Sequence, residues 1–233
     1  MKGLTPELFW KHKREILAAS RAELADLIPI LVSGRHSQHD GNPPTPITRV
    51  CGHILICAIS DLLSQNFLRT FDLMNTTFLV LLASRNTELD EALLVFASQT
   101  TILRVQVVEG KKGHMHFLEE VLPRSIEYIR RQLLCGKRVC VACNTGQDIS
   151  VGVALCALQQ FFDDEGNYVA TELDTSRKRG LYCSSDVLTT TRIADKKSIR
   201  TRLEWIISSR PLANPSRTTL KRVNEFFLSL SKS

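Results

Sequence analysis

The residues able to do chemistry gather in one stretch, Val139 to Ser150, VCVACNTGQDIS. Cys143 is a candidate nucleophile and Asp148 a candidate base. Between them, Asn144, Thr145, Gly146 and Gln147 offer backbone N–H groups on short or flexible residues. Arg138 to Ala142 reads as a short buried strand, Cys143 to Asp148 as a tight loop, and Ile149 to Phe162 as a helix apolar nearly all round, which belongs in the middle of a fold. In a strand, loop and buried helix, successive N–H groups converge on one point with the positive end of the helix behind them. A phosphate suits that point, held by Asn144, Thr145, Gly146, Gln147, Ile149 and Ser150, and the same N–H groups would stabilise a Cys143 thiolate. The residues alone leave plainer readings open: Cys143 as a small buried side chain, and Asp148 as the N-cap of the following helix.

Cysteine phosphatases use this device with the signature Cys-x5-Arg-Ser/Thr. Counting from Cys143, the sixth residue is Ile149 and the seventh Ser150, so the hydroxyl position is kept and the arginine is gone. Isoleucine cannot supply the bidentate clamp that arginine places on a phosphoryl group. The residue before the cysteine is Ala142 rather than histidine, and Asp148 puts a second anion beside the bowl. The loop is phosphatase-like, and it is not expected to act as a phosphatase.

CNTGQDISVGVAL, with LPRSIEYIRRQL before it, KKSIRTRLEWI and ANPSRTTLKRVNEF after it and GLTPELFW near the start, resembles the initiator tRNA 2'-O-ribosyl phosphate transferases of fungi and plants. The resemblance runs over nearly the whole chain. It implies a pentosyltransferase that moves a phosphoribosyl group from phosphoribosyl pyrophosphate to the 2'-hydroxyl of a T-stem purine in cytoplasmic initiator tRNA, which excludes that tRNA from elongation. Mg2+ would accompany the pyrophosphate leaving group, and Asp148 is the candidate base for the 2'-hydroxyl. Gln147 stands where the family more often has a basic residue. Met1 falls just ahead of GLTP, so much of the first transferase domain is expected to be absent. The alternative is a non-catalytic RNA- or phosphate-binding module left from such a transferase.

The resemblance implies an α/β protein in two parts. Residues 1–75 are expected to be the C-terminal remnant of the transferase domain, and residues 76–233 a dual-specificity-phosphatase-like domain with a central sheet flanked by helices. The 233 residues, 43% hydrophobic and 23% charged, suffice for a normal core. No apolar run approaches the roughly 18 residues of a membrane span, and charges interrupt the first 20 residues. The expected location is cytoplasmic, with no membrane partner. Seven cysteines without CxxC spacing argue against a disulfide framework or a zinc site. No metal site is read from His36, His39, His114 or His116, which lack spaced partners.

The net charge of +6 is unevenly distributed. Between Ser176 and Arg222 there are 12 Lys/Arg against 3 Asp/Glu, the footprint of a polyanion partner. Arg177, Lys178, Arg179, Lys196, Lys197 and Arg200 are the candidate RNA contacts.

The supporting elements follow in order. Thr5 and Pro6 open a first helix to Ala19, and Ser20 with Glu23 forms a capping-box pattern. Residues 34–48 are a long polar loop, and Ile54 to Ile59 a strand. Thr77 to Ala83 reads as the first strand of the phosphatase-like unit, Leu89 to Phe96 as a helix, and Thr101 to Val108 as a strand. Lys111 and Lys112 occupy a glycine turn. Met115 to Leu122 and Arg124 to Leu134 read as two helices, ended by Gly136. Asp163 to Asn167 is an acidic turn, and Thr171 to Thr190 a weakly patterned insertion. Lys196 to Ser208 is a helix burying Ile199, Leu203, Ile206 and Ile207, with Arg202 on another face. Asn214 caps a last helix with Pro215 in its first turn, whose N-terminus, with Ser216 and Arg217, is a second candidate anion site.

Overall fold

The structure is a computed structural model; it describes residues 9–10, 12–20, 23–24, 27–29, 31, 43–62, 72–82, 96, 100–108, 113–169 and 194–230. The chain divides into two compact units, Met1–Asn42 and Pro43–Ser233. In the first, helix α1 spans Lys13–Ala18 and buries Ile16. Ser20 and Glu23 form the expected reciprocal cap, with the Ser20 N–H donating to Glu23 Oε2 at 2.7 Å and the Glu23 N–H to Ser20 Oγ at 3.4 Å. Thr5 and Pro6 lie outside the described residues, as do Leu89, Lys111, Lys112 and the insertion from Thr171 to Thr190.

The second unit is built on a five-stranded sheet. Its strands are β1 (Thr45–Pro46), β2 (Ile54–Ala58), β3 (Thr76–Leu82), β4 (Ile102–Gln106) and β5 (Arg138–Cys143), in spatial order β1-β2-β5-β3-β4. Only β1 runs antiparallel to its neighbour. Side chains alternate across a strand, and the period is visible here. Ile54, Ile56, Leu79, Leu81, Val139, Val141 and Cys143 join the larger core cluster, while Leu55, Cys57, Phe78, Val80, Leu82, Cys140 and Ala142 join the smaller one. Parallel strands covered on both faces read as continuous apolar runs, as β2, β3 and β5 do.

The sheet corrects the expected division at residue 75. β2 pairs with β5 from Ile54↔Val139 to Ala58↔Cys143, so the strands before residue 75 belong to the same sheet as those after it, and the division lies at 42/43. Thr76–Leu82 is therefore an interior strand and not the first of the unit. An apolar pentapeptide such as Ile54–Ala58 suits either domain, and only its ladder partner tells them apart.

Helix α2 spans Ile59–Leu62, and Phe96 is helical and buried; a continuous helical stretch begins at α3 (Gly113–His116), passes through a π turn at Phe117–Val121 and continues as α4 (Leu122–Leu134). Two separate helices were expected here. Pro123 has no N–H to return to the preceding turn, and the wider π turn carries the chain through that gap without a break. Gly136, at φ +72°, ends the helix and turns the chain into β5.

Helix α5 (Ile149–Phe161) is the buried centre, with eleven of its residues from Ser150 to Phe161 inaccessible. Helix α6 (Lys196–Ser209) and helix α7 (Arg217–Leu230) pack against it. On α6, Ile199 and Ile206 are buried as expected, whereas Ile207 is exposed. Arg202, assigned to an outer face by its charge, is 1% exposed. Its guanidinium donates to the carbonyls of Leu158, Phe162 and Ser198 and to Asp164 Oδ1. The Leu158 carbonyl already accepts from the Phe162 N–H at 3.2 Å, so Arg202 adds a second donor there and supplies one to the Phe162 carbonyl just past the end of α5.

Candidate active site

The loop from Cys143 to Asp148 joins the C-terminal end of β5, in the middle of the sheet, to the N-terminus of α5. Brought together there are Cys143, Asn144, Thr145, Gly146, Gln147, Asp148, Ile149 and Ser150. Cys143 is 4% exposed, and its Sγ lies 3.1 Å from Ser150 Oγ. This contact follows from register: Cys143 points to the face of the sheet that α5 covers, and Ser150 is on the first turn of that helix.

Gly146 makes the loop tight. Its φ is +64°, and a Cβ there would meet the Cys57 carbonyl carbon at 2.5 Å, so a side chain is excluded by backbone as well as by space. The loop carbonyls point to its rear. Gly146 accepts from Arg210 Nε at 2.9 Å, and Gln147 accepts from the Asn214 N–H at 2.9 Å. In a planar trans peptide the following N–H points the opposite way, so the amides of Gln147 and Asp148 are presented on the other side. Among the described residues, Gly146 alone of Asn144 to Asp148 donates its N–H within the protein, to Cys143 at 3.3 Å. A free row of N–H groups at a helix N-terminus is an anion cradle.

Arg210 is a residue that sequence reading missed and that the structure brings to the loop. It is 7% exposed and follows α6, and its second hydrogen bond, from Nη1, goes to Thr45 Oγ1 at 2.9 Å. It faces the loop from behind and so does not replace the clamp lost at Ile149. A cation 64 residues beyond the loop has no local signal that could have pointed to it.

Asp148 makes no side-chain cap for α5. Its Oδ1 instead accepts from the Ser216 N–H at 2.8 Å, while Ser216 Oγ accepts from the Thr219 N–H at 3.1 Å. These bonds correct two expectations. Asp148 holds the N-cap position of its own helix, but its side chain turns to Ser216 instead of capping it, and the second anion site at Ser216 and Arg217 is already taken by the Asp148 carboxylate. Arg217 is exposed and α7 begins there, so the capping residue is Ser216 rather than Asn214. The reason is sequence distance: a helix N-terminus looks for a carboxylate, and the one it finds comes from the loop 68 residues earlier.

Two depressions open at the loop. One, of about 170 Å3, is lined by Leu81, Cys143, Asn144, Thr145, Asp148 and Ile149. The other, of about 200 Å3, lies between Ile149 and Asp148 on one side and Val107, Phe117 and Arg222 on the other. His114, expected at the plain surface, lines this second cavity. His116 pairs with Glu120 at 3.4 Å, and its Nδ1 is buried without a partner among the described residues. Lys196, Lys197 and Arg200 are exposed on α6, Arg200 pairing with Glu204 at 3.1 Å. Arg177, Lys178 and Arg179 lie outside the described residues.

The central parallel sheet, the loop after β5 and the buried helix behind it define a dual-specificity-phosphatase-like α/β protein. A model of the Rit1 DUSP-like domain matches residues 101–227. The chain belongs to that family, the phosphatase-like domain of the initiator tRNA ribosyl phosphate transferases. Similar solved structures include human DUSP28, at 14% identity and TM-score 0.48 over 82% of this chain and 96% of that one. A leucine rich repeat and phosphatase domain containing protein from Entamoeba histolytica matches at 14% and 0.47, over 82% and 94%. The Yvh1 phosphatase domain from Chaetomium thermophilum matches at 14% and 0.48, over 77% and 92%. No curated protein sequence matches the chain. Among the described residues, no helix is long and apolar enough to cross a membrane.

Proposed function

We propose that the chain serves a cytoplasmic tRNA 2'-O-ribosyl phosphate transferase, with phosphoribosyl pyrophosphate as donor and a T-stem purine of initiator tRNA as acceptor, and that it is not a phosphatase. Its family supports the class of enzyme. The observation that carries the reading is the altered loop: N–H groups and Cys143 are retained, Ile149 replaces the arginine, and Asp148 stands at the mouth bound to Ser216. Such a loop holds a phosphate by backbone donors alone. It lacks the cation that stabilises charge on a phosphoryl group in transfer, which favours seating a substrate phosphate over cleaving it. Asp148 lines both depressions, which supports it as the base that takes a proton from a ribose hydroxyl. Lys196, Lys197 and Arg200, with Arg177, Lys178 and Arg179, supply phosphate-backbone contacts to tRNA.

Mg2+ would enter with the donor. Among the described residues no three His, Cys, Asp or Glu side chains gather, so diphosphate oxygens and water would provide most of its ligands.

The test is incubation of the purified chain with initiator tRNA and phosphoribosyl pyrophosphate, followed by mass analysis of the T-stem fragment. A gain of one ribosyl phosphate supports the reading. Intact tRNA binding without transfer favours the second reading, a non-catalytic RNA- and phosphate-binding module, which the missing clamp at Ile149 also suits. Cys143-dependent release of phosphate from an aryl phosphate would overturn both.

A further inference from the structure

Three consecutive residues of the loop are tied to the segment between α6 and α7. Gly146 O accepts from Arg210 Nε at 2.9 Å, Gln147 O from the Asn214 N–H at 2.9 Å, and Asp148 Oδ1 from the Ser216 N–H at 2.8 Å. The first two ties fix backbone. The third fixes a side chain that has a local alternative.

Asp148 stands at the N-cap position of α5, and its carbonyl already accepts the first helical bond, from the Gly152 N–H at 3.0 Å. A capping aspartate turns its carboxylate onto the N–H groups two and three residues on, which here are those of Ser150 and Val151. Neither has an acceptor among the described residues, and the Ser150 N–H belongs to the anion cradle. Asp148 departs from that pattern. Its ψ of −82° lies outside the extended region that capping residues adopt, and its side chain makes no cap.

The start of α7 competes for the same carboxylate, since free N–H groups at a helix N-terminus favour an anion. The two helices meet at their first turns: a Cβ on Gly152 would meet Thr219 Cγ2 at 2.5 Å. Ser216 Oγ is engaged with the Thr219 N–H, so what Ser216 gives Asp148 is its backbone N–H.

We infer that the Ser216 N–H is a positioning group: it holds the Asp148 carboxylate off the anion cradle, at the wall shared by the two depressions, and without it Asp148 turns onto the amides of its own helix and takes the place of the substrate phosphate. This rests on the reading, made above, that the loop seats a phosphate. Asp148 thus has two seats, one at the start of α7 with the cradle open and one at the start of α5 with the cradle closed.

Titration calorimetry on the full chain with inorganic phosphate tests it. Ser216→Pro removes the N–H at a helix start, where proline is tolerated. Ser216→Ala keeps the N–H, loses only the hydroxyl, and is the reference. Ser216→Pro should bind phosphate about tenfold more weakly than Ser216→Ala, the worth of one hydrogen bond to a charged group. Adding Asp148→Ala to Ser216→Pro should restore the affinity, which it would not do if proline had merely distorted the loop. Equal binding by the two Ser216 variants, or a loss that Asp148→Ala does not relieve, overturns the inference while the loop reading stands. If Ser216→Pro does not fold, amide exchange followed by NMR compares the parent with Asp148→Ala. Faster exchange at Ser216 in the variant supports the inference; faster exchange at Ser150 or Val151 would put the carboxylate on its own helix already and overturn it. Phosphate binding by none of these proteins overturns both readings.

Discussion

Arg210 donates from Nε to the carbonyl oxygen of Gly146 at 2.9 Å, reaching the candidate active-site loop from the end of helix α6. Both groups are buried. The bond turns the Gly146 carbonyl away from the loop's mouth, and the geometry of the peptide unit then turns the next N–H toward it.

Arg210→Met should therefore act on ligand affinity as well as on stability. It leaves a buried carbonyl unpaired, at a cost of about 1–3 kcal/mol, and releases the Gln147 amide from its orientation. Phosphate titration should show weaker binding, and Arg210→Lys should restore part of it. Unchanged phosphate affinity in a folded Arg210→Met protein would mean that the loop holds its shape without this bond.

Gly146→Ala meets two obstacles at once, the positive φ and the Cys57 carbonyl carbon 2.5 Å from the new Cβ. A non-glycine residue held in such a conformation costs about 1–3 kcal/mol before the clash is counted. Urea denaturation should show at least that loss, and a variant as stable as the parent would show that the loop relaxes.

Arg202→Met tests the cap on α5. The Asp164 partner is 66% exposed, so that ion pair contributes little. Both carbonyl bonds are buried, and the one to Phe162 matters more, since the Leu158 carbonyl keeps the Phe162 N–H. The expected loss is about 2–4 kcal/mol, read from chemical denaturation. A loss below half a kcal/mol would mean that water replaces the guanidinium.

Asp195 caps α6 in a reciprocal box with Ser198. The backbone N–H of Ser198, then its side chain, hold the Asp195 carboxyl below its ordinary value. A depressed carboxylate pKa contributes stability that is present above the unfolded value of about 3.9 and lost as pH falls through the lower folded value. Thermal melts across that acid range should fall more steeply for the parent than for Asp195→Ala, the two curves converging at low pH. Parallel curves would remove Asp195 from the acid response.

The cysteines should separate by reagent access. Cys51 and Cys135 are exposed, while Cys57, Cys140 and Cys156 are buried. Burial pushes the Cys57 thiol well up, with the Cys140 hydrogen bond adding to it, and burial raises Cys156 as well, so little thiolate is present in either. Among the described cysteines, alkylation followed by peptide mass analysis should label Cys51 and Cys135 first, and Cys143 more slowly through the cleft it lines. Inorganic phosphate should slow Cys143 alone. Labelling of Cys143 unaffected by phosphate would place the anion elsewhere.

The sequence by itself determined the local elements on which the site is built. The apolar pentapeptide Ile54–Ala58, the run Thr76–Leu82 and the nearly all-apolar helix Ile149–Phe161 were legible because burial on almost every side leaves little polar face. The loop was legible because glycine, small polar residues and a cysteine fall within six positions. Tertiary structure decided what these elements meet. It put β2 beside β5 and so moved the division of the chain to 42/43. It sent Asp148 to the amide of Ser216, brought Arg210 behind Gly146, and drew Arg202 into the core under the end of α5. Each is a polar group satisfied by a partner more than 35 residues away. Hydrophobic period reports which face is buried, whereas a hydrogen bond between distant residues depends on where the packed elements bring them, and a linear pattern carries no trace of that distance.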